Sequence, residues 1–141
     1  MKIFWVALFL VLSPIVAFAQ EDARVCFKKF CYQVEVVQTL QALSKGLSGR
    51  ESLSEDEGML FVFTESGQHR FWMKDMLFDL DILWLDKNGK VVHIEENLPP
   101  CTPNACPSFT SAKPAQYVLE IPAGASKDRK IRIGSIAKIN L

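Results

Sequence analysis

The chain has 141 residues, with 16 Lys and Arg against 16 Asp and Glu, and a formal net charge of zero. That length builds one domain with a hydrophobic core of useful size. The balanced charge excludes an electrostatic case for binding nucleic acid or an anionic membrane surface.

Met1-Lys2 is a short positive start, residues 3–19 are apolar except for Ser13, and Ala17-Phe18-Ala19 has the small-x-small pattern of a signal peptidase site. This predicts a cleaved signal peptide over residues 1–19 and export to the periplasm or the extracellular space. The competing reading, an uncleaved anchor, has an apolar run near the lower length limit for a span. A lipoprotein signal does not fit, because Ala23-Arg24-Val25 precedes the nearest cysteine, Cys26. Once the signal is removed, no second apolar segment is long enough to span a membrane.

Residues 20–32 form an N-terminal segment that carries the first two cysteines. All four cysteines lie beyond the signal, as suits an oxidising compartment. Four cysteines allow three pairings, and sequence alone proves none of them. Local geometry favours two short bridges. If Lys28-Lys29 turns a hairpin, Cys26 and Cys31 stand opposite each other, although Lys-Lys lacks the Gly, Asn or Asp of a favoured turn. Cys101 and Cys106 enclose Thr-Pro-Asn-Ala, where a bridge would stiffen a proline-bearing loop. The spacings do not match the usual paired zinc motifs, and no metal is assigned.

Residues 34–37 read as a strand. Leu40, Leu43 and Leu47 then follow helical spacing behind Thr39, a suitable cap; Gly46 weakens this helix and Gly49 ends it. Ser52-Leu53-Ser54-Glu55 resembles a capping box, but Gly58 limits it to a short turn. The continuous apolar run 59–63 reads as a buried strand, and residues 69–73 as the next one after a turn around Gly67. Residues 80–85 and 91–94 flank Asp86-Lys-Asn-Gly89, the clearest hairpin signal in the chain. Residues 95–114 read as a polar loop and 117–121 as a strand broken by Pro122-Ala-Gly124. One or two helical turns over 125–130 precede a last strand or two, split at Gly134. The pattern predicts a mostly β fold: a compact antiparallel β-sandwich or barrel-like domain with one short helix and small helical turns.

Phe71-Trp-Met-Lys-Asp-Met76 is the densest candidate site. On a strand, Phe71, Met73 and Asp75 point one way and Trp72, Lys74 and Met76 the other. Burying Lys74 or Asp75 unpaired would be costly, so the strand either emerges there or pairs its charges inside. Asp81, wedged between Leu80 and Ile82, needs a partner, and Lys74 is the natural one. Asp79 and Asp81 share a strand face, a spacing that could serve a metal, a sugar or acid–base chemistry; Asp86 is better explained as a turn residue. His69 and His93 read as partly exposed strand residues rather than ligands. Glu120 alternates with Leu119 and Ile121, which places it on a wet face by default, or beside a buried cation. No serine elbow or phosphate-binding glycine loop is present.

The ordered set Gly58-Met-Leu-Phe-Val-Phe63, Phe71-Trp-Met-Lys74, Leu80-Asp-Ile-Leu83 with Leu85-Asp86, the loop from Pro100-Cys101 to Cys106, and Tyr117-Val-Leu-Glu-Ile-Pro-Ala-Gly124 resembles the bacterial and archaeal family called domain of unknown function 192 (DUF192). The resemblance runs from about residue 33 to the C-terminus. It implies a compact, mostly β fold of sandwich or barrel character over residues 33–141, and it implies no reaction. The chain departs from the family pattern in three places. Ser48 follows Gly46-Leu47 where the family has Met and a basic residue. Asp75-Met76 stands in place of Asn-Thr, and Ser135 follows Gly134 in place of Asp.

The leading functional expectation is a non-enzymatic binding module for a small organic or sugar-like ligand, with no cofactor and no catalytic residue. Trp72 would form an apolar or stacking wall, Lys74 a polar anchor and Asp75 the rim, with Asp81 and Glu120 holding Lys74 in place. Two alternatives stand beside it. One is a hydrolase using Asp81 or Glu120, which needs both acids in one cleft. The other is a structural or partner-binding envelope protein that presents an exposed β edge.

Overall fold

The computed structural model describes residues 23–141, so the expected signal peptide lies outside the described residues. In chain order the elements are β1 (Arg24–Phe27), β2 (Phe30–Val37), α1 (Leu40–Lys45), β3 (Glu57–Gly67), β4 (Phe71–Trp72), β5 (Leu80–Leu85), β6 (Val91–Leu98), β7 (Ser108–Phe109), β8 (Ala115–Pro122), α2 (Ala125–Asp128) and β9 (Ala137–Asn140). Seven strands form one sheet in the order β6-β5-β8-β3-β2-β1-β9, and β4 pairs with β7 in a small second sheet. The mostly β, barrel-like expectation holds. One pairing departs from it: β2 and β3 are parallel. A parallel pair needs a crossover of a dozen or more residues, and residues 38–56, which include α1, supply it.

The large sheet curls until its edges touch. Lys90 bridges Ile136, Val91 N donates to Ser135 O at 2.8 Å, and Ala137 N donates to Gly89 O at 2.8 Å. Gly89 makes this closure possible. Its φ is +75°, and a Cβ there would lie 2.4 Å from Ala137 O. The concave face draws apolar side chains from all seven strands, including Val25, Tyr32, Leu60, Leu85, Val91 and Ile121, and Ala125 of α2 packs against them. The other face carries Phe61, Ile82, Trp84 and Val118, covered by Leu47 and by Met73 and Met76.

Because both faces are covered, β8 has no wet face, and the default placement of Glu120 on one is wrong: the residue is buried with its neighbours Val118, Leu119 and Ile121. The stretch 71–76 also differs from a simple strand. Only Phe71 and Trp72 are extended, pairing with Phe109 and Ser108. The chain then turns, with Asp75 at φ +57°, so strand alternation no longer applies. Met73 and Met76 are both buried in the same cluster, while Lys74 and Asp75 are exposed.

Cys26 is joined to Cys31 and Cys101 to Cys106. Cys26 and Cys31 are register partners across the β1–β2 hairpin, and Lys28 takes the left-handed turn conformation usually left to Gly or Asn. The Thr39 cap also forms, accepting from Ala42 N at 3.2 Å, but α1 stops at Gly46, before Gly49.

Candidate functional site

The site begins at Glu120, in the middle of the sheet. Its register partners are Met59 on β3 and Ile82 on β5. The residue is 5% exposed, and its Oε2 has no hydrogen-bond partner. Burial away from water pushes the carboxyl up to about 8, so it is predominantly uncharged at neutral pH. Glu120 lines a cleft of about 410 Å³ between α1 with its following loop, β3 and the 68–76 segment.

Aromatic side chains make the cleft walls. Phe71 meets Phe61 edge-on with ring centroids 4.8 Å apart, and meets Phe63 in the same way at 6.4 Å. His69 stacks flat on Phe63, centroids 3.5 Å apart and planes 6° from parallel. Trp84 Nε1 donates to His69 O at 3.0 Å and so ties the His69 backbone to the core. Gly46 passes over Phe61, where a Cβ would sit 3.2 Å from the ring. At the mouth stand Trp72, 53% exposed, and Leu40, 88% exposed. Exposed apolar groups at a concave opening are more informative than the same groups scattered singly.

Backbone contacts hold the Trp72 side of the cleft. Ser48 Oγ donates to Lys74 O at 3.2 Å, and Gly49 N donates to Asp75 O at 2.9 Å, which ties the 71–76 turn to the loop after α1. Cys101 N donates to Met73 O at 3.2 Å, so the bridged 101–106 loop braces the turn from behind.

Of the five residues singled out from sequence as a ligand site, two meet in the cleft: Trp72 and Glu120. Lys74 does not line it. Its Nζ lies 5.5 Å from the Trp72 ring centroid, over the ring, in a cation–π contact. Asp75 is exposed and takes no part in the lining. The expected Lys74–Asp81 pairing is absent, because Asp81 has other partners on the concave side. Its Oδ1 accepts from Asn97 N at 2.8 Å and Gly124 N at 3.0 Å. Its Oδ2 accepts from Ser126 N at 2.9 Å and Ser126 Oγ at 2.6 Å. Three amides and a hydroxyl satisfy this buried acid without a cation, and they pin the start of α2 to the sheet.

The two carboxyls therefore cannot act as a pair in one cavity. Asp79 is exposed, His93 pairs with Glu95 at 2.9 Å outside the cleft, and no group of three or more His, Cys, Asp or Glu able to hold a metal occurs among the described residues. A larger groove of about 840 Å³ runs along β2 past Arg50 and Glu35, which pair with each other. It contains no buried polar atom without a partner among the described residues.

Sequence reasoning missed Phe61, Phe63, His69 and Gly46 as parts of the cleft. Their signal was present as the apolar run 59–63 and the histidine after Gly67. Nothing local said that β3 would bring this run against the segment after Gly67.

The chain matches the family model of DUF192, described as an uncharacterized ACR, over residues 20–139. Two solved structures share the fold. One is a protein of Sinorhizobium meliloti 1021, provisionally named a transcription regulator, with 28% identity, a TM-score of 0.75, and coverage of 83% of this chain and 91% of its own. The other is a protein of unknown function from Novosphingobium aromaticivorans DSM 12444, with 26% identity, a TM-score of 0.73 and coverage of 83% of each chain. No curated protein matches. The matched span takes in β1 through most of β9, with the Phe71–Met76 turn and Glu120 inside it, and the chain belongs to the DUF192 family.

Proposed function

We propose that this protein is an exported, non-enzymatic binding module whose cleft takes a small organic or sugar-like ligand. One observation carries the reading: a cleft of about 410 Å³ has half-exposed Trp72 at its mouth and the unpartnered carboxyl of Glu120 in its lining. Small-molecule sites commonly fall between about 300 and 1,000 Å³ and combine apolar walls with a few polar groups. Trp72 offers a stacking face, and Lys74 steadies the indole rather than anchoring the ligand. A lone buried acid, with Asp81 on the opposite face of the sheet, favours binding over the paired-carboxylate chemistry of a hydrolase.

Export is supported by two short-range disulfides and by the charged, apolar, small-residue order of the N-terminus. No helix among the described residues is long and apolar enough to cross a membrane. A formal net charge of zero gives little basis for holding phosphates and so favours small-molecule binding over the transcriptional role named for the Sinorhizobium protein.

A thermal-shift screen of a small-molecule library against the protein recovered from the exported fraction tests this reading, because a ligand of the folded state raises Tm. The expected result is at least one hit whose shift is lost in a folded Trp72→Ala variant. Hits that shift wild type and Trp72→Ala equally would place binding elsewhere.

A further inference from the structure

We infer that the ligand of this cleft presents a protonated amine, seated against Glu120 among the aromatic rings. The inference rests on the cleft being a ligand site and adds the chemical class. Glu120 Oε2 is buried and unpartnered, an arrangement that costs free energy until a polar group of a ligand satisfies it. Besides Glu120, the titratable groups in the lining are Lys45 and Arg70, both exposed and so at the rim, and half-buried His69, whose ring lies on Phe63 with Nε2 3.2 Å from Glu65 O. None of the three hydrogen-bonds Glu120.

A neutral hydroxyl or amide could also satisfy the carboxyl, but the walls discriminate. Phe61, Phe63, Phe71 and Trp72 line the cleft, and although His69 covers one face of Phe63, an aromatic lining favours a cation over a neutral donor, as the Lys74 ammonium over the Trp72 ring illustrates. An anionic ligand group beside Glu120 would oppose its ionisation and lack a buried cation. Rim cations Lys45 and Arg70 repel a second positive charge, so the cleft should prefer a monoamine on an apolar body to a diamine.

The proton balance follows. Burial holds the empty Glu120 carboxyl up at about 8, so below that pH it carries a proton. When an ammonium group seats against it, the carboxyl ionises and passes that proton to solvent, leaving an ammonium–carboxylate pair. Binding of each amine therefore releases about one proton, and affinity rises by about tenfold per pH unit from about pH 6 to about pH 7.5. A neutral ligand releases none.

Isothermal titration calorimetry in two buffers of different ionisation enthalpy measures this directly. The probes are a panel of monoamines led by phenethylamine, with phenethyl alcohol as the neutral match and p-xylylenediamine as the diamine. The wild-type protein should bind at least one monoamine of the panel with proton release. It should bind the alcohol and the diamine at least about tenfold more weakly. Glu120→Gln, which keeps the size and the neutral state of the side chain, should weaken the amine by about tenfold or more and abolish the release. Trp72→Ala should weaken amine and alcohol alike. The inference is overturned if no monoamine binds, if the alcohol matches the amine, or if Glu120→Gln leaves amine affinity and proton release unchanged. Should the amines fail while neutral library hits still depend on Trp72, only the amine assignment falls. Absence of any Trp72-dependent hit removes the ligand-site reading as well.

Discussion

Asp81 and Glu120 lie one register step apart across the β5–β8 ladder and point to opposite faces of the sheet: Asp81 pairs with Ile121, and Glu120 with Ile82. They are the two buried carboxylic side chains among the described residues. One is fully engaged by hydrogen bonds, and the other has an oxygen with none. The first reads as architecture, and the second is the group we propose meets a ligand.

Asp81→Ala removes the shared acceptor of three backbone amides and the Ser126 hydroxyl. Stranding buried donors costs about 1–3 kcal/mol each, less whatever water recovers, so a total loss of about 3–5 kcal/mol is expected. Urea unfolding measures it. A loss below about 1 kcal/mol would show that the clamp is not needed to hold α2 against the sheet.

Glu120 gives stability a pH dependence of defined sign. Its folded-state value, about 8, lies above the ordinary 4.5, so between those limits the folded protein binds the proton more tightly than the unfolded chain. The contribution is fully present below about pH 4.5, declines as pH rises and levels off above about 8. Its slope is no steeper than about 1.4 kcal/mol per pH unit. Stability curves of wild type and Glu120→Gln should therefore diverge across this window, the variant gaining relative stability toward alkaline pH. Parallel curves would mean that Glu120 titrates normally.

Gly89→Ala tests the closure of the barrel. The substitution combines a left-handed φ with a Cβ that cannot fit beside Ala137 O, so the β6 and β9 edges must separate. A loss of about 2–4 kcal/mol is expected, beyond the usual Gly→Ala effect. Circular dichroism melts report it, and an unchanged Tm would contradict the close approach.

Peptide mapping of the non-reduced protein should recover Cys26 linked to Cys31 and Cys101 linked to Cys106. A peptide joining Cys26 to Cys101 or Cys106 would refute both local bridges.

The legible part of the fold was local. The Asn88-Gly89 hairpin, the Thr39 cap and the facing positions of Cys26 and Cys31 follow from turn and capping chemistry that acts over a few residues. The parallel β2–β3 pair was not legible, because it depends on where a crossover returns the chain. Glu120 was misplaced for a related reason. Alternation distinguishes two faces of a strand, but it does not say that both faces of a curled sheet will be covered. Lys74 has no Asp81 partner because the chain leaves the strand after Trp72 and turns, so strand alternation does not reach it. The exposure of Trp72 was legible, since an indole beside two charges is poorly explained by a closed core, and the structure leaves it half-exposed at the cleft mouth.

The most direct test of the central claim is a ¹H–¹⁵N NMR titration of the folded protein with a ligand found in the screen. The cleft reading predicts that the Trp72 indole resonance and the amides of Gly46 and His69 shift in a saturable way, while the amides of Asn97, Gly124 and Ser126 around Asp81 stay still. Shifts confined to the Asp81 side, with the Trp72 indole unmoved at saturation, would contradict it.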